Sequence, residues 1–380
     1  MKKLIIIILL IFIFLLSLFL TNSYLNNNEK IKNEDLDSKE SYTVKYKEEA
    51  MNLLNTLTLE EKVGQLFLGR LYEDTALEDI NNYNLSGFIL FDANINNKDK
   101  ESLKKLLDIY QNESKLPLFI AIDEEGGTVN RISNYSAFRG SPFLSPKDLY
   151  NLGGYEQIKS DTLEKIDLLK SIGINLNLAP VADISTSPND YIYKRSFSDN
   201  EEEVSQYISI VTKLMNENSM GSSLKHFPGY GGNLDTHVGL SIDNRSLDEL
   251  KSKDLIPFKV GIKNGASSIM VSHNIISKID SQYPASLSPE INKIIRDYLG
   301  FDGVVITDDL IMDAINLYIG NKNSAILAIN AGNDLLIASD YKVQIPIVIN
   351  AIKQGEISLN RIDEAVLRVL TLKYSLKLIK

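Results

Sequence analysis

Eight short apolar runs alternate with amphipathic segments along most of this chain, and this alternation constrains the fold more than any other feature. The runs lie at residues 64–68, 87–91, 116–122, 174–178, 222–226, 267–272, 303–307 and 334–338. Apolar residues recur at helical spacing in the segments between them, for example 100–111, 157–172, 201–215 and 247–264. Alternating strands and helices predict parallel βα units, and eight such units favour a closed (β/α)₈ barrel, or TIM barrel, over an open doubly wound sheet.

Capping signals support the helical segments. Thr58 with Glu61, and Ser246 with Glu249, have the spacing of capping boxes, in which a hydroxyl and a carboxylate bind backbone amides at the helix start. Ser288 stands directly before a proline, which fits an N-cap followed by proline at the first helical position. Helices are therefore predicted to begin where the alternation requires them.

The first residues have the pattern of an exported protein. Lys2 and Lys3 precede an apolar run at 4–20, which as a helix would span about 26 Å, close to a hydrocarbon core of about 30 Å. The two lysines predict a cytoplasmic N-terminus with the rest of the chain outside. We interpret residues 1–21 as a signal anchor or a signal peptide. The anchor is favoured because no small-x-small cleavage pattern follows the run.

The remaining chain is divided into a linker and one domain. Residues 22–41 are rich in Asn, Lys, Glu and Asp, which predicts a polar, solvated linker. Residues 42–380 are predicted to form the barrel domain. The expected location is extracytoplasmic, with the N-terminal helix in contact with the membrane, or secreted if that helix is cleaved.

The composition excludes several classes of function. The chain has 40 basic and 50 acidic residues, and its net charge of −10 argues against nucleic acid as a partner, because phosphate neutralisation needs clustered Lys and Arg. It contains no cysteine, which excludes disulfides, thiolate zinc sites and a cysteine nucleophile. It also lacks His-x-His and His-Glu-x-x-His patterns, so we expect neither a metal site nor a cofactor.

Ionisable residues follow five of the predicted strands. In a parallel barrel the functional groups gather at the carboxyl ends of the strands, so these side chains are expected to face one cleft. The three histidines of the chain, at 226, 237 and 273, all lie in these segments. The strand-end residues are Asp123, Asp183, Lys225, His226, His273, Asp308 and Asp309.

The segment after the fifth strand, KHFPGYGGNLDTH at 225–237, is predicted to be a loop because its proline and glycines cannot continue a strand or helix. It lacks the Gly-Lys-Ser/Thr ending of a phosphate-binding P-loop. Asp235 lies two residues before His237, and a carboxylate that accepts a hydrogen bond from an imidazole fixes its tautomer. His237 is therefore a candidate general acid and base.

Asp308 directly follows the apolar run at 303–307, so its carboxylate is expected to enter the cleft. A carboxylate in that position can attack an anomeric carbon and form a covalent glycosyl intermediate. Asp309 is the nearest rival, but its side chain is expected to point towards the following helix.

At these residues the sequence resembles glycoside hydrolase family 3, in particular its single-barrel β-N-acetylglucosaminidase branch, over about 57–373. The motifs that carry the resemblance are LTLEEKVGQL (57–66), SGFILF (86–91), PLFIAIDEEGG (117–127), NLAPVADIS (177–185), KRSFS (194–198), KHFPGYGGNLDTH (225–237), IMVSHN (269–274), PASLS (284–288), GFDGVVITDDLIM (300–312) and AGNDLL (331–336).

The resemblance implies a role for each matching residue. Asp308 is implied as the nucleophile, and Asp235 with His237 as the acid/base dyad on a mobile loop. The residues implied to bind the sugar are Asp123, Arg131, Arg195, Lys225 and His226. The implied reaction is retaining hydrolysis of a terminal β-linked N-acetylhexosamine from a muropeptide or chitin-type fragment.

The sequence also departs from the family pattern. Tyr230 stands where the family loop usually has a second histidine, Glu124 where Gln is common, and Thr128 where Arg is common. The spacing from Lys225 to Asp235 is one residue shorter than usual. Three other interpretations stay open: a glycoside phosphorylase, a β-glucosidase of the same family, and a membrane-anchored wall-binding protein without catalysis.

Overall fold

The computed structural model describes residues 42–233, 235, 239, 241–312, 315 and 323–380. The segments interpreted as signal helix and linker, 1–21 and 22–41, lie outside the described residues, and so does His237. Within the described ranges, no helix combines the length and the apolarity that a membrane crossing needs.

The chain divides into two units, Met1–Lys45 and Tyr46–Lys380. In the first unit the structure describes one helical turn, α1 (Tyr42–Lys45). All elements described below belong to the second unit.

Eight parallel strands form the centre of the second unit, in the order β10-β1-β2-β3-β4-β5-β7-β9. A single parallel bridge between Ile306 and Leu335 joins the two end strands and brings the sheet round into a barrel. A separate pair, β6 and β8, lies outside this sheet. The strands are β1 (Phe67–Arg70), β2 (Gly87–Ile89), β3 (Phe119–Ile122), β4 (Leu176–Asn177), β5 (Gly221–Phe227), β6 (Ile242–Asp243), β7 (Ser268–Val271), β8 (Ile275–Ile276), β9 (Val304–Thr307) and β10 (Leu336–Ala338).

Helices fill the connections between the barrel strands. They are α2 (Lys47–Leu54), α3 (Leu59–Gly64), α4 (Ala76–Tyr83), α5 (Asp92–Ile95), α6 (Lys100–Glu113), α7 (Pro146–Ile172), α8 (Glu201–Glu217), α9 (Leu247–Ser252), α10 (Leu255–Lys263), α11 (Pro289–Lys293), α12 (Ser324–Ala331), α13 (Tyr341–Lys353) and α14 (Leu359–Ser375). A 3₁₀ turn at Ala285–Leu287 and a π-helical turn at Ile294–Tyr298 flank α11.

The predicted alternation of eight strands with helices is confirmed, and every apolar run contains or overlaps a barrel strand. The capping boxes at Thr58 and Ser246 are both formed, and the Ser288 side chain accepts a hydrogen bond from the backbone of Ile291. The first strand begins later than the run at 64–68 predicts. The helix started by Thr58 continues through Gly64, so pairing begins only at Phe67.

Two predicted helices have different bounds in the structure. The segment 247–264 is two helices, broken at Lys253, whose φ of −143° is not helical. Pro257 explains the break, because a proline has no N–H to donate to the carbonyl of Lys253. The helix predicted at 157–172 starts earlier, at Pro146, with a break at Gly154, where φ is +63°.

The carboxyl ends of β3, β4, β5 and β9 meet at one end of the barrel, because all barrel strands run parallel. β5 is buried along its whole length, although it contains Lys225 and His226. Buried polar groups need partners in the protein, since water cannot serve them. The partners of these two side chains define the pocket described next.

Candidate active site

Lys225 is the most buried cation of the barrel end, with 2% of its side chain exposed. Its Nζ lies 2.6 Å from a carboxylate oxygen of Asp123 and 2.6 Å from one of Glu125. Burial disfavours the charged ammonium, but the two carboxylates outweigh it, so the pKa of Lys225 lies above its ordinary value. Lys225 therefore stays charged and joins the end of β5 to the segment after β3.

Glu125 is a site residue that the sequence analysis did not single out. Its carboxylate accepts two hydrogen bonds from Arg195, 3.0 Å from Nε and 2.7 Å from Nη2, in addition to the contact with Lys225. Burial alone would raise the pKa of Glu125, but the charges of Arg195 and Lys225 hold it well below its ordinary value. The available signal was the second glutamate of the Asp-Glu-Glu-Gly-Gly segment that starts at Asp123.

His226 is held on both ring nitrogens. Its Nδ1 lies 2.7 Å from a carboxylate oxygen of Asp183, and its Nε2 lies 3.1 Å from Nη2 of Arg195. A guanidinium can only donate, so Nε2 accepts and the ring carries its proton on Nδ1, facing Asp183. The backbone N–H of His226 also donates to Asp183, at 3.0 Å. The imidazole is therefore fixed in one orientation.

Tyr230 packs against this imidazole. Its ring is 1% exposed and meets the ring of His226 edge to face, with centroids 5.1 Å apart. It also packs against Tyr191, at 5.5 Å between centroids. The backbone N–H of Tyr230 donates to Asp183 at 2.7 Å. The ring of Tyr230 thus helps to hold the imidazole of His226 in this orientation.

Arg245 fixes the base of the loop that follows β5. Its guanidinium donates to the carbonyl of Gly229 at 2.8 Å and forms ion pairs with Asp243 and Asp254, both at 2.6 Å. Gly229 has a φ of +115°, and a Cβ there would lie 2.7 Å from the Asp254 carboxylate, so no larger residue fits. Asn233 donates to Asp243 at 2.9 Å. The described start of the loop is therefore anchored to β6 and the segment that follows it.

The dyad predicted on this loop is described only in part. Asp235 is half-buried. His237 lies outside the described residues, together with residues 234, 236, 238 and 240. The distance between the imidazole of His237 and the carboxylate of Asp308 stays a prediction.

Asp308 directly follows β9, at the same end of the barrel as Lys225. Its backbone N–H donates to the carbonyl of Val271 at 3.2 Å, which ties it to β7. One of its carboxylate oxygens accepts the backbone N–H of Asp309 at 2.8 Å. Asp308 as a whole is half-buried.

Tyr191 connects the two parts of the cleft electrostatically. Burial raises the pKa of its phenol, Arg195 opposes this rise, and the charges of Asp235, Asp308 and Glu125 add to it. Tyr191 therefore lies in the combined electric field of the loop after β5, the end of β9 and the Arg195 pocket.

Asp309 and His273 have structural contacts. The Asp309 carboxylate accepts hydrogen bonds from the backbone of Ile311 and from the backbone and hydroxyl of Ser339. His273 is fully buried, with Nδ1 2.7 Å from the Ser286 hydroxyl and Nε2 3.1 Å from the Asp309 carbonyl. The expectation that all three histidines line the cleft is therefore wrong for His273, which supports the backbone beside Asp308.

The segment after β3 is folded around Glu124. This carboxylate is fully buried and accepts the backbone N–H groups of Arg131 and Ile132, both at 2.8 Å, and the hydroxyl of Ser133. The guanidinium of Arg131 donates to the carbonyl of Asn130 at 3.0 Å. The described contacts of Arg131 thus lie within its own loop, whereas Asp123, Lys225, Arg195 and His226 form one connected cluster.

In the part of the chain that the structure describes, no group of three His, Asp or Glu side chains is arranged to hold a metal ion. The carboxylates of Asp123 and Glu125 instead bind the cations of Lys225 and Arg195.

The fold and this cluster define a barrel protein with a polar cleft at the carboxyl ends of its strands, the position that active sites occupy in such barrels. Residues 58–372 match the family model of the glycosyl hydrolase family 3 N-terminal domain. This match covers most of the chain, and the chain therefore belongs to glycosyl hydrolase family 3.

Individual relatives agree with this assignment. The chain is 34% identical over 278 residues to Beta-hexosaminidase A of Pseudoalteromonas piscicida, across 68% of this chain and 46% of that protein. It is 30% identical over 305 residues to an uncharacterized secreted glycosyl hydrolase of Arthroderma benhamiae, across 76% of this chain and 84% of that protein. The chain thus spans about half the length of the first relative and most of the second.

Among solved structures, a glycoside hydrolase family 3 β-N-acetylglucosaminidase from Paenibacillus sp. str. FPU-7 is similar, with a TM-score of 0.80 and 29% sequence identity. The superposition covers 85% of this chain and 63% of that chain.

Proposed function

We propose that this protein is a retaining β-N-acetylhexosaminidase that removes a terminal β-linked N-acetylhexosamine from glycan fragments. The observation that carries the proposal is the cluster of buried, paired polar side chains that shares one barrel end with Asp308. Family membership supports hydrolysis of a glycosidic bond, and the names of the first relative and of the Paenibacillus structure support an N-acetylated amino sugar.

In the proposed first step, a carboxylate oxygen of Asp308 forms a bond to the anomeric carbon while the bond to the leaving oxygen breaks. The proton of His237 passes to the leaving oxygen, and Asp235 stabilises the imidazolium before the transfer. In the second step, neutral His237 takes a proton from water. The water oxygen bonds to the anomeric carbon while the bond from that carbon to Asp308 breaks, which frees the Asp308 carboxylate and releases the sugar.

The sugar itself is proposed to lie against the buried cluster. Asp123 would accept hydrogen bonds from hydroxyls, while Lys225 and His226 contact the same sugar from the end of β5. Arg195 holds Glu125 and His226 and lines the pocket with Arg131. Since these side chains are fixed by mutual contacts before the substrate arrives, little order has to be created on binding.

The substrate we favour is a muropeptide or chitin-type fragment that ends in N-acetylglucosamine. A β-glucosidase is disfavoured because family members with the Asp-x-His loop mostly prefer N-acetylated sugars. The proposed location is extracytoplasmic, supported by the lysines and apolar run at 1–21 and by the secreted relative from Arthroderma benhamiae. In this proposal the N-terminal helix lies in the membrane.

The test uses 4-nitrophenyl N-acetyl-β-glucosaminide and a 5-fluoro analogue that traps the glycosyl-enzyme. We expect turnover of the first compound, and mass spectrometry should locate the trapped sugar on Asp308. Asp308→Asn should abolish both turnover and labelling, while the matched variant Asp309→Asn should still be labelled at Asp308. A label on Asp309, or near-normal kcat in Asp308→Asn, would refute the assignment.

The same assay distinguishes the remaining alternatives. Formation of sugar-1-phosphate in phosphate buffer, in place of free sugar, would identify a phosphorylase. Faster cleavage of the β-glucoside than of the N-acetylated compound would identify a β-glucosidase. Failure to cleave either compound, with the protein folded, would favour the binding protein.

A further inference from the structure

Arg70 ends β1 and points its guanidinium at two aromatic rings. The guanidinium carbon lies 4.5 Å from the ring centroid of Phe91, which follows β2, and 5.9 Å from that of Tyr72. Arg70 and Phe91 are half-buried, and the side chain of Tyr72 is 39% exposed. These three residues form an aromatic–arginine cluster whose outer surface meets solvent.

Within the described ranges, the Arg70 guanidinium has no carboxylate within ion-pair distance. Two acidic residues of the adjacent segments are bound elsewhere: Glu73 to Lys98 at 2.9 Å, and Asp92 to the hydroxyl of Tyr135, which raises the pKa of that phenol. Six other arginines of the described chain do bind carboxylates: Arg139, Arg195, Arg245, Arg296, Arg361 and Arg368.

The cluster lies on the same barrel end as the cleft. In the strand order, β10, β1 and β2 lie between β9, which carries Asp308, and β3, which carries Asp123. The hydroxyl of Tyr72 donates to the carbonyl of Ser339 at 3.0 Å, and the backbone of Ser339 donates to Asp309, the neighbour of Asp308. A short chain of hydrogen bonds therefore connects the cluster to the proposed nucleophile.

We propose that Arg70, flanked by Tyr72 and Phe91, binds a carboxylate on the leaving group of the substrate. The proposal rests on the glycosidase function proposed above. Lys225 and His226, two of the residues proposed to hold the terminal sugar, are buried. The leaving group attached to that sugar must extend towards solvent. It therefore contacts partly exposed side chains at the rim of the cleft.

The chemistry of the cluster fits an anionic, sugar-like ligand. A guanidinium can bind a carboxylate through two parallel hydrogen bonds, and such charge-assisted bonds are stronger than neutral ones. The rings of Phe91 and Tyr72 lie beside the guanidinium, and no carboxylate of the described residues occupies its N–H groups. The exposed ring of Tyr72 also offers an apolar face to a sugar or aryl group.

The test compares two leaving groups that differ in charge: 3-carboxyphenyl and 3-carbamoylphenyl N-acetyl-β-glucosaminide. The measured quantity is the ratio of their kcat/KM values, acid over amide. Arg70→Met should lower this ratio by about 10- to 100-fold, the range expected for a lost hydrogen-bonded charge contact. Arg70→Lys, which keeps the charge but not the paired geometry, should lower it less.

A matched control is Lys147→Met, which also removes a cation from an aromatic ring, that of Tyr193, at 4.8 Å. Its ratio should equal that of the wild type. An unchanged ratio in Arg70→Met would overturn the proposal. If both compounds lose kcat/KM by the same factor, Arg70 is a structural residue. Wild-type protein that cleaves neither compound would instead refute the glycosidase function, and the Arg70 proposal with it.

A third substrate checks which part of the ligand carries the charge. It is the 4-nitrophenyl glycoside of an N-acetylglucosamine that carries a carboxyethyl ether on O3. If Arg70→Met weakens cleavage of this compound selectively and leaves the acid-to-amide ratio unchanged, the carboxylate belongs to the cleaved sugar. That result would overturn the assignment to the leaving group.

Discussion

The guanidinium of Arg195 binds the carboxylate of Glu125 through two hydrogen bonds, 3.0 Å from Nε and 2.7 Å from Nη2. The same carboxylate lies 2.6 Å from Nζ of Lys225. One buried anion therefore positions two cations that come from different parts of the chain, and through Arg195 it also positions His226. This gives Glu125 a larger role in the pocket than its place beside Asp123 in the sequence indicated.

Replacing this anion should damage both stability and catalysis. In Glu125→Gln, two buried cations lose a shared charge, and we expect the free energy of unfolding to fall by about 3 kcal/mol. We expect kcat/KM for the 4-nitrophenyl substrate to fall by about 10- to 100-fold, because Lys225 and Arg195 lose their fixed positions. Urea unfolding and steady-state kinetics measure the two effects.

The control for this variant is Glu164→Gln, which breaks a similar two-bond pair with Arg139 in which the Glu164 side chain is 54% exposed. This variant should lower the free energy of unfolding by less than about 1 kcal/mol.

The pKa of Glu125 is lower in the folded protein than in the unfolded chain. The stability that its charge contributes is therefore complete above about pH 4.3 and is lost on further acidification. The stability difference between wild type and Glu125→Gln should therefore shrink below that pH, and a constant difference would contradict this account.

Arg245 should affect catalysis through the loop that it anchors. Arg245→Met removes the contacts to Gly229, Asp243 and Asp254, so the loop carrying Asp235 and His237 loses its fixed base. If that loop supplies the proton, the loss in kcat/KM should be several-fold larger for an alkyl leaving group than for 2,4-dinitrophenol, which needs no protonation.

The control for the loop prediction is Lys278→Met, which removes an exposed cation 3.7 Å from Glu249 in the same region. It should leave the ratio of the two substrates unchanged. Equal losses for both leaving groups in Arg245→Met would mean that Arg245 stabilises the fold without positioning the proton donor.

His237→Ala tests the proton donor directly. Because general acid catalysis contributes about 100- to 10,000-fold, cleavage of alkyl glycosides should fall by at least about 100-fold more than cleavage of the dinitrophenyl glycoside. The matched change at a buried histidine, His273→Gln, should lower the melting temperature without changing the ratio of the two substrates. A uniform loss in His237→Ala would exclude this residue as the donor.

The sequence predicted the eight strands because buried parallel strands are continuous apolar runs. It did not predict the break at Lys253, since apolar residues keep helical spacing across it and only Pro257 indicates the interruption. The strand-end position of Asp308 was predictable for the same reason as the strands. The side-chain geometry of the site was not, because it depends on contacts between distant segments.

Glu124 and Glu125 illustrate this limit. They are adjacent acids of one type, yet Glu124 binds the backbone of its own loop and Glu125 binds Arg195 and Lys225. The choice depends on how the chain turns at Gly126, where φ is +104°, and on an arginine about 70 residues away in sequence. His273 was misassigned for a similar reason, because a histidine at a strand end can point into the core as well as into the cleft.

Lys373 gives a prediction that is independent of the active site. Its ammonium is fully buried in α14, with its Nζ 2.6 Å from the amide oxygen of Gln65 and 5.1 Å from the ring centroid of Phe119. Burial lowers its pKa to about 7. Between about pH 7 and about pH 10.4 the unfolded chain therefore holds a proton that the folded protein lacks, so this group makes stability rise with pH in that window.

Lys373→Met removes the titrating amine. At pH 6.5 the free energy of unfolding should increase by about 1 kcal/mol, because burying the charged ammonium costs more than its hydrogen bond to Gln65 contributes. Urea unfolding at pH 6.5, 8 and 9.5 should show the gain vanishing near pH 8 and becoming a loss of about 2 kcal/mol at pH 9.5, because wild-type stability rises by about 1.4 kcal/mol per pH unit in this window. The exposed Lys353→Met, which loses only a 3.6 Å contact with Glu60, should differ from wild type by the same amount at all three values, and a similarly constant difference for Lys373→Met would mean that its amine titrates at its ordinary pKa.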